Sequence, residues 1–464
     1  MELHIPADVE AVVDRLRSSG HQAYVVGGCV RDAIRGVEPA DWDVATDATP
    51  DEIQQAFRRS LYTNRFGTVV VRTPGPPGRD GGREIEVTTY RVEAGYSDHR
   101  RPDAVAFTAS LREDLSRRDF TMNAMAWSPE HGGTIVDPFG GRQDLDARLV
   151  RAVGDPDERF REDALRMLRA IRFAAVLGFT IEPGTAAAIG RNAKLAETLS
   201  GERVQQEIVR ILRGPVPSVG FRMLSNLGLL AVVAPELEQC RETPQEKVAA
   251  ENVFEHSLAT LDAAAAETPA AAPPEEDLVL RLAALFHDVG KPETYGDGHF
   301  HQHEFVGEAK VRQILRRWKF DKATVEAVAH LVRHHMFWYQ PDWTSSAVRR
   351  FIRNVGLERI PVLFALRKAD NVGSGARAPR MYALNELWLR VQEEIQRANA
   401  FSKSDLVIDG NDVMAELGIP PGPEVGRILD ALFERVLDDP ELNTPERLLA
   451  LAREIHRGDQ RSGG

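Results

Sequence analysis

Two acidic residues, Asp41 and Asp43, flank Trp42 and follow the turn formed by Gly27 and Gly28 in the run VVGGCVRDAIRGVEPADWD. Alternate residues of a strand point to the same face, so both carboxylates can be directed at one site if Trp42 is turned into the core. Hard divalent cations prefer oxygen ligands, and two metals roughly 4 Å apart can hold the attacking and the leaving oxygen of an in-line displacement. The pattern therefore indicates Mg²⁺-dependent phosphoryl transfer.

The Gly-Gly turn and Arg31 offer a binding site for a triphosphate beside these acids. Glycines let the backbone approach phosphates closely, and the N–H groups at the start of the following predicted helix favour bound anions. An Asp-x-Asp pair alone is common on solvated surfaces, but its position after this turn favours nucleoside triphosphate chemistry. We interpret Cys29, inside the turn, as a small buried side chain, because the nearby acids disfavour a reactive thiolate.

A second polar group lies in the run DLSRRDFTMNAMA. Its donors and its acceptor could bind phosphate and sugar hydroxyls, whereas the alternative is a charged helix start with Asp119 as its N-cap. The residues concerned are Arg117, Arg118, Asp119 and Asn123.

A third group recurs every third residue in EDALRMLRAIRF and comprises Asp163, Arg166, Arg169 and Arg172. This spacing predicts a polar ridge along a helix, parallel to an apolar ridge of Leu165, Leu168 and Ile171. Charged helix faces commonly serve only solubility. Three arginines at strict spacing nevertheless offer bidentate donors for base edges and phosphates.

The elements that position these groups are predicted to be mixed at first and helical afterwards. Residues 23–137 combine helical patterns with strand-like runs at 69–71, 85–90 and 134–136, which predicts an α+β head. From residue 151 the pattern is helical almost throughout. Two segments, 74–82 and 263–276, are rich in Pro, Gly or Ala and are predicted to be loops.

Composition limits the class of protein. The 464 residues, 43% hydrophobic, suffice for several domains, and no run approaches the roughly 18 apolar residues of a membrane span. Two cysteines and no visible secretory signal predict a cytoplasmic protein. The net charge of −12 does not indicate nucleic-acid binding, but local basic pairs at 100–101, 117–118 and 349–350 could contact phosphates.

Six motifs in this order, GGCVRD, DWD, YRVEAGYSDHRRPD, RRDFTMNAMA, VDPFGG and EDALRMLRAIRF, resemble the class II tRNA nucleotidyltransferase and bacterial poly(A) polymerase family. The resemblance covers residues 23–212. It implies an α+β, polymerase-β-like nucleotidyltransferase head, then an all-helical neck, body and tail. The implied boundaries are 1–150 for the head, 151–240 for the neck, 241–400 for the body and 401–464 for the tail.

The resemblance also implies roles for the residues. Asp41 and Asp43 would hold catalytic Mg²⁺, and Gly28 with Arg31 would contact the triphosphate. Arg118 and Asp119 would select ribose. Asp163 and Arg166 would act as an amino-acid template for the incoming base, supported by Arg169 and Arg172. A third carboxylate often activates the attacking hydroxyl in this superfamily, and Glu86, which shares a strand face with Glu84, is the candidate.

Histidines cluster further along the chain, where eight of the 13 fall between His256 and His335. His-Asp within FHDVGKP and Asp within RKADN resemble the HD domain of metal-dependent phosphohydrolases. The predicted ligands of a divalent metal, whose identity the sequence leaves open, are His256, His287, Asp288, His334 and Asp370, with His301 or His303 as additions. Such domains can survive as inactive scaffolds; activity toward 2′,3′-cyclic or terminal phosphates is the expectation.

The leading hypothesis is an enzyme that adds C, C and A to tRNA 3′ ends from CTP and ATP without a nucleic-acid template. The alternatives are a poly(A) polymerase or a partial C- or A-adding enzyme. An HD phosphohydrolase whose head merely binds nucleotide would predict altered metal acids, yet Asp41 and Asp43 are intact. A noncatalytic RNA-binding protein would predict a basic chain. The oligomeric state stays open.

Overall fold

The computed structural model describes residues 3–462 except 65–66, 75–81, 95–103, 131–132, 248–249, 268–272, 297–298, 376–377 and 398–400. These residues form two compact units, one of residues 1–238 with 317–320 and one of residues 239–316 with 321–464. The predicted loop at 74–82 and the motif YSDHRRPD at 96–103 lie largely or wholly outside the described residues.

The first unit begins with an α+β region, as the strand-like runs predict. Its helices are α1 (Ala7–Ser18), α2 (Gly28–Ile34), α3 (Pro50–Ala56), α4 (Leu111–Ser116) and α5 (Gly141–Asp146). Its strands are β1 (Ala23–Val26), β2 (Asp43–Thr46), β3 (Ser60–Asn64), β4 (Thr68–Arg72), β5 (Glu84–Thr89), β6 (Arg91–Ala94), β7 (Ala104–Phe107), β8 (Ala126–Ser128) and β9 (Thr134–Val136).

Seven of these strands form one sheet in the order β3-β4-β5-β2-β1-β8-β9. The pair β2 and β5 is parallel, and the other neighbours are antiparallel. The register sets Asp43 beside Glu86 on the adjacent strand. Because paired residues of adjacent strands face the same side of a sheet, the fold places two predicted catalytic acids together.

The rest of the first unit is almost entirely helical. It contains β10 (Leu149–Val150), α6 (Pro156–Glu162), α7 (Leu165–Leu177), β11 (Thr180–Ile181), α8 (Pro183–Asn192), α9 (Gly201–Leu212), α10 (Pro217–Asn226), α11 (Leu230–Val233) and α12 (Pro235–Gln239). The apolar ridge of α7 is buried at Leu165, Leu168 and Ile171, as its spacing predicts. One face of α9 is buried through Val204, Ile208 and Ile211.

The second unit is helical apart from two small hairpins. Its elements are β12 (Pro244–Lys247), β13 (Ala250–Asn252), α13 (Val253–Glu267), α14 (Pro274–Phe286), α15 (Lys291–Thr294), β14 (Tyr295–Gly296), β15 (His299–Phe300), α16 (His303–Arg317), α17 (Lys322–His334), α18 (Ser345–Val355), α19 (Ile360–Gly373), α20 (Ala378–Arg397), α21 (Gly410–Leu417), α22 (Pro423–Asp438) and α23 (Pro445–Ser462). Helices α21 to α23 pack around their own core, which includes Val413, Leu432 and Leu448.

The loop predicted at 263–276 is shorter than expected. Helix α13 continues to Glu267 through a run of alanines, the residue with the highest helix propensity, and α14 starts at Pro274. Among the described residues, none of the helices combines the length and apolar character that crossing a bilayer requires.

Candidate functional site

A cavity of about 630 Å³ opens in the first unit and is lined mainly by charged side chains. It brings together most of the nucleotide-site residues that the sequence predicts. These are Gly28, Arg31, Asp41, Asp43, Arg117, Arg118, Asp119, Asn123, Asp163, Arg166, Arg169 and Arg172. Gly27 and Glu86 do not line it but adjoin residues that do, since Gly27 precedes Gly28 and Glu86 pairs with Asp43.

Asp43 is the first residue of β2, and Asp41 lies two residues before it. Trp42 is only 3% exposed, which turns Asp41 and Asp43 away from the core as the alternation predicts. The pKa of Asp43 is raised to about 6: burial is the largest cause, Arg118 acts in the opposite direction, and the negative charges of Glu86 and Asp41 contribute to the rise. A bound divalent cation would offset the repulsion between these neighbouring carboxylates. The residues therefore fit Mg²⁺.

In the turn before α2, the backbone of Gly27 lies close to the side chain of Arg118. Gly27 adopts a φ of +88°, and a Cβ added there would lie 2.7 Å from Nη1 of Arg118 and 3.7 Å from Oδ2 of Asp43. Cys29, in the first turn of α2, is buried, and burial raises the pKa of its thiol to about 12, so the interpretation of an unreactive side chain agrees with its environment.

Gly27→Ala is expected to lower nucleotide incorporation by about tenfold or more. The new methyl group would displace the Arg118 guanidinium and force an L residue into left-handed backbone, which costs roughly 1–2 kcal/mol. Incorporation rates with CTP and with ATP measure this effect. Gly20→Ala is the control, because Gly20 also has a positive φ but meets no atom within 4 Å; equal losses in both variants would attribute the effect to backbone strain alone.

Asp119 is the centre of a buried polar network. Its Oδ2 accepts a hydrogen bond from Nε of Arg169 at 2.8 Å, and its Oδ1 accepts one from Nδ2 of Asn123 at 3.0 Å. Oδ1 of Asn123 in turn accepts a hydrogen bond from Nη1 of Arg31 at 2.7 Å. Burial raises the pKa of Asp119, but Arg169 and Asn123 outweigh it and lower the pKa to about 2. Asp119 therefore positions Arg169 and, through Asn123, Arg31.

Asp119→Asn is expected to lower the free energy of unfolding by roughly 2 kcal/mol at pH 7, since a depression of this size is worth about 1.4 kcal/mol for each pH unit. A depressed carboxyl pKa stabilises the fold above the unfolded value of about 3.9 and loses that contribution as pH falls toward 2. Denaturant unfolding of both proteins from pH 7 to pH 3 should therefore show a constant difference down to about pH 4 and a smaller one below. If the difference in unfolding free energy between the two proteins did not depend on pH, the ion pair between Asp119 and Arg169 would be contradicted.

The template residues do not share one helix, contrary to the predicted ridge. Helix α6 ends at Glu162 and α7 begins at Leu165, so Asp163 lies at the junction and its Oδ1 accepts a hydrogen bond from the backbone N–H of Leu165 at 3.0 Å. Arg166 is held by an ion pair with Glu162 and donates from Nη2 to the carbonyl of Arg117 at 2.9 Å. Both side chains still face the same cavity.

Helix α9 contributes three charged residues that the sequence reasoning missed. Arg203 donates to both carboxylate oxygens of Asp163, at 3.0 and 2.7 Å, and Glu207 pairs with Arg172 at 2.6 Å. Arg210 lies 3.3 Å from Glu207 and lines the cavity as well. One feature of the sequence could have indicated these residues. Glu207 is an acid within the apolar face of α9, and a buried charge needs a partner of opposite charge.

The basic pair of Arg349 and Arg350 is already used inside the second unit. Arg349 is buried in an ion pair with Glu394 and donates from Nε to the carbonyl of Leu437 at 2.6 Å. Arg350 binds Asp438 at 2.9 Å. These contacts fix the end of α22, so the pair is a poor candidate for gripping phosphates. The pair at 100–101 lies outside the described residues.

A second polar site is buried in the second unit and consists of two groups of ligand-type side chains. One group is His256, His287 and Asp370, and the other is Asp288, His303 and His335. In the first, the Nε2 atom of His256 lies 3.0 Å from Nε2 of His287 and 3.1 Å from Oδ1 of Asp370. We call these six residues the HD cluster.

The second group is linked to the first by Asp288. Its Oδ1 lies 3.3 Å from Nε2 of His303 and 3.5 Å from Nε2 of His335, and its Oδ2 lies 3.3 Å from Nε2 of His287. Ligands at 2.0–2.1 Å from a tetrahedral ion are themselves roughly 3.3 Å apart. The spacing therefore fits a divalent cation, which the residues of either group would hold.

The sequence predicts His334 as a ligand, but in the structure the neighbouring His335 belongs to the HD cluster and His334 does not. One residue along a helix turns the side chain by about 100°, so the two adjacent histidines cannot both face the cluster. The His334 ring instead lies 4.4 Å from that of His330. His303 joins the cluster, whereas His301 lies against His299, with 5.8 Å between ring centroids.

Backbone contacts orient two imidazole rings of the HD cluster, those of His287 and His335. Nδ1 of His287 bonds the carbonyl of Ala284 at 2.9 Å, and Nδ1 of His335 bonds that of Val332 at 2.7 Å, contacts that place the imidazole proton on Nδ1. Burial lowers the pKa of His335 to about 4, so its ring is neutral near pH 7. Neutral imidazoles and a carboxylate are the donor set of transition-metal sites.

Three stretches of the chain match known families. Residues 23–151 match the family described as Poly A polymerase head domain, residues 178–240 the probable RNA and SrmB-binding site of polymerase A, and residues 253–373 the HD domain. A CCA-adding enzyme of Geobacillus kaustophilus is 35% identical, covering 97% of both chains. The chain belongs to the CCA-adding enzyme family.

Two further relatives agree with this assignment. A CCA-adding enzyme of Limosilactobacillus fermentum is 33% identical over 97% of this chain and 98% of its own. The crystal structure of the Bacillus stearothermophilus CCA-adding enzyme in complex with CTP is 30% identical, with a TM-score of 0.71 and 98% of each chain covered. The matches confirm the predicted family, the α+β fold class and the nucleotidyltransferase class.

Proposed function

We propose that this chain adds C, C and A to tRNA 3′ ends from CTP and ATP by in-line nucleotidyl transfer, without a nucleic-acid template. The observation that carries the proposal is the cavity itself, which joins the acids of β2 to Asp163 and Arg166 in one space. A relative 30% identical to this chain has been solved with CTP. The cytoplasm is the proposed location, since the two cysteines are buried and not joined in a disulfide.

Asp41 and Asp43 are the proposed ligands of Mg²⁺, with Glu86 beside them. When bound, the cation lowers the barrier by polarising phosphoryl oxygens and neutralising charge. The 3′-hydroxyl oxygen of the RNA forms a bond to the α-phosphorus, the bond from that phosphorus to the bridging oxygen breaks, and pyrophosphate leaves. Glu86 is the proposed acceptor of the hydroxyl proton, while Arg31 and Arg118 hold the triphosphate.

The decisive test offers tRNAs that end before CCA, after C and after CC to the full chain, with CTP and ATP separately and together. Product lengths should show two additions with CTP alone on the first tRNA and one A only on the tRNA that ends in CC. Long A tails would indicate a poly(A) polymerase, and addition of only one type of nucleotide would indicate a partial enzyme. Either result would overturn the proposal.

The HD cluster favours a second activity, hydrolysis of 2′,3′-cyclic or terminal phosphate esters with a divalent metal. Its six ligand-type residues are buried, and backbone carbonyls orient the rings of His287 and His335, an arrangement that surface histidines lack. In the cyclic case a water oxygen bonds to phosphorus, one phosphorus–ribose oxygen bond breaks, and the released ribose oxygen takes the proton. The residues that would hold the metal are those of the two groups.

His287→Ala is expected to abolish metal-stimulated hydrolysis of such esters while leaving nucleotide addition near the wild-type rate. The loss follows because removing one imidazole breaks a ligand set that the neighbouring carboxylates cannot complete. Metal content and both activities are measured on the same preparation. His301→Ala, outside the cluster, is the control; loss of both activities in His287→Ala would mean a purely structural role.

A further inference from the structure

A second cavity, of about 220 Å³, lies beside the HD cluster in the same unit. Its walls are the aromatic segment 337–339, Arg367 and Asn371 of α19, and the early part of α20. These walls continue directly from the cluster: His335 precedes Phe337 by two positions, and Asp370 immediately precedes Asn371. The function proposed so far does not use this cavity.

Arg367 connects the cavity to the cluster through a hydrogen bond. Its Nη1 donates to Oδ2 of Asp370 at 2.8 Å, and Oδ1 of the same carboxylate lies 3.1 Å from Nε2 of His256. The guanidinium of Arg367 also lies 5.7 Å from the centroid of the Phe337 ring. A group bound in the cavity is therefore separated from the cluster by one cationic side chain.

The aromatic side chains differ in how they are held. Phe337 packs on Phe351 and Phe364, with centroids 5.2 and 5.7 Å away, so its ring is fixed. Trp338, between Phe337 and Tyr339, is 69% exposed. An indole left in water beside a fixed aromatic wall is the arrangement that stacking platforms for bases use.

Asn371 supplies the polar part of the cavity. It is only 4% exposed and lines the cavity. A carboxamide carries both donors and an acceptor, so it can pair with a ligand edge that has one donor and one acceptor. Nucleobase edges have that pattern.

The size of the cavity limits its occupant. Pockets for drug-sized ligands measure roughly 300–1,000 Å³, so 220 Å³ suits one planar ring system rather than a whole nucleotide. We propose that this cavity binds the base of a nucleoside phosphate ester whose phosphate is held at the HD cluster, and this inference rests on the second activity proposed above. The base stacks on Trp338 and pairs with Asn371, and Arg367 lies between the base and the phosphate.

Two sources offer this chemistry, a free nucleotide and the 3′ end of an RNA. The test uses the full chain with Mn²⁺, Co²⁺, Ni²⁺ and Mg²⁺ in turn and with saturating CTP, which occupies the nucleotidyltransferase cavity. The substrates are adenosine 2′,3′-cyclic phosphate, a short RNA ending in the same group, and glycerol 1,2-cyclic phosphate, which has the reacting ring but no base. The RNA and the mononucleotide are ranked by kcat/KM, and the better one identifies the source.

The variants are Trp338→Ala, Trp338→Phe and, as a matched control, Tyr382→Ala, an aromatic residue of α20 that is similarly exposed but does not line the cavity. Trp338→Ala should raise KM for the adenosine ester about tenfold with kcat nearly unchanged. The glycerol ester should be hydrolysed equally by all four proteins, and Trp338→Phe should restore most of the affinity. An unchanged KM in Trp338→Ala overturns the base site and leaves the hydrolase proposal standing.

If the wild type hydrolyses none of the esters with any metal, the hydrolase proposal fails, and binding alone decides the base site. Equilibrium dialysis of adenosine 3′-phosphate, again with saturating CTP, should then give a Kd about tenfold higher for Trp338→Ala than for wild type. Equal Kd values, or no binding by the wild type, would overturn the base site.

Discussion

Asp43→Ala is expected to lower the rate of C and of A incorporation alike, by about 10³-fold or more. A divalent cation at this site contributes several kcal/mol of charge stabilisation in the transition state, and each 1.36 kcal/mol is a factor of ten in rate. Asp43 lies at the first position of β2 beside Glu86, and its pKa is raised by burial and by these like charges. The loss should not depend on the base, because the acids serve the phosphates.

Single-turnover incorporation and tRNA affinity, measured on the same preparation, separate catalysis from binding. Affinity should stay within a few-fold of wild type, since the proposed contact of Asp43 is with a metal ion rather than with RNA. Glu84→Ala is the matched control: Glu84 lies on the same strand as Glu86, points to the same face and pairs with Arg72 at the surface. Retained turnover in both Asp41→Ala and Asp43→Ala would refute the assignment of these acids.

The sequence predicted well the features that depend on near neighbours. Trp42 is buried because alternate residues of an extended segment face opposite sides, and a large apolar ring between two acids has only the core to enter. The strands at 68–72, 84–89 and 134–136 follow from β-branched runs between turn residues. The position of Glu86 beside Asp43 is different, because it depends on the parallel pairing of β2 with β5. The local sequence pattern does not determine that pairing.

Features that depend on distant partners were not predictable in this way. Arg203 and Asp163 are 40 positions apart in sequence, and their ion pair exists only because α9 packs beside α7. The choice of His335 over His334 depends on the rotation of α17, which the packing of its buried residues fixes to within one residue. Adjacent histidines in a motif therefore identify a site without identifying the ligand.

We propose that the geometry of Asp163 determines which bases the cavity accepts. A carboxylate has about four lone-pair sites, and Arg203 and the Leu165 N–H occupy three of those on Asp163. One acceptor position is left for an exocyclic amino group, which C and A both carry, while Arg166 supplies a donor for the ring nitrogen beside it. U and G present the opposite order of donor and acceptor on that edge.

Arg166→Ala is therefore expected to lower discrimination among nucleotides by about 10- to 100-fold, because a good bidentate contact to a base edge is worth roughly 1–3 kcal/mol. The measurement is kcat/KM for CTP, ATP and UTP on tRNAs ending before CCA and after CC. Rejection of UTP should fall more than tRNA affinity does, whereas the ratio of C to A incorporation should change less, because the two bases present the same donor and acceptor to Arg166 and Asp163. Since Arg166 also holds Glu162 and the carbonyl of Arg117, Glu162→Gln tests the ion pair separately, and it should cost less selectivity.

Arg161→Ala supplies the control for charge, since Arg161 is an exposed arginine of α6 that does not line the cavity. If Arg166→Ala kept the wild-type ratios for all three nucleotides while losing rate uniformly, Arg166 would position the cavity wall and another group would read the base. Equal selectivity losses in Arg166→Ala and Glu162→Gln would instead assign the reading to the pair. We expect the loss of selectivity to be confined to Arg166→Ala. The one remaining acceptor on Asp163 contacts only the exocyclic group of the base. A donor such as Arg166 is needed to distinguish a ring nitrogen that accepts a hydrogen bond from one that carries a proton.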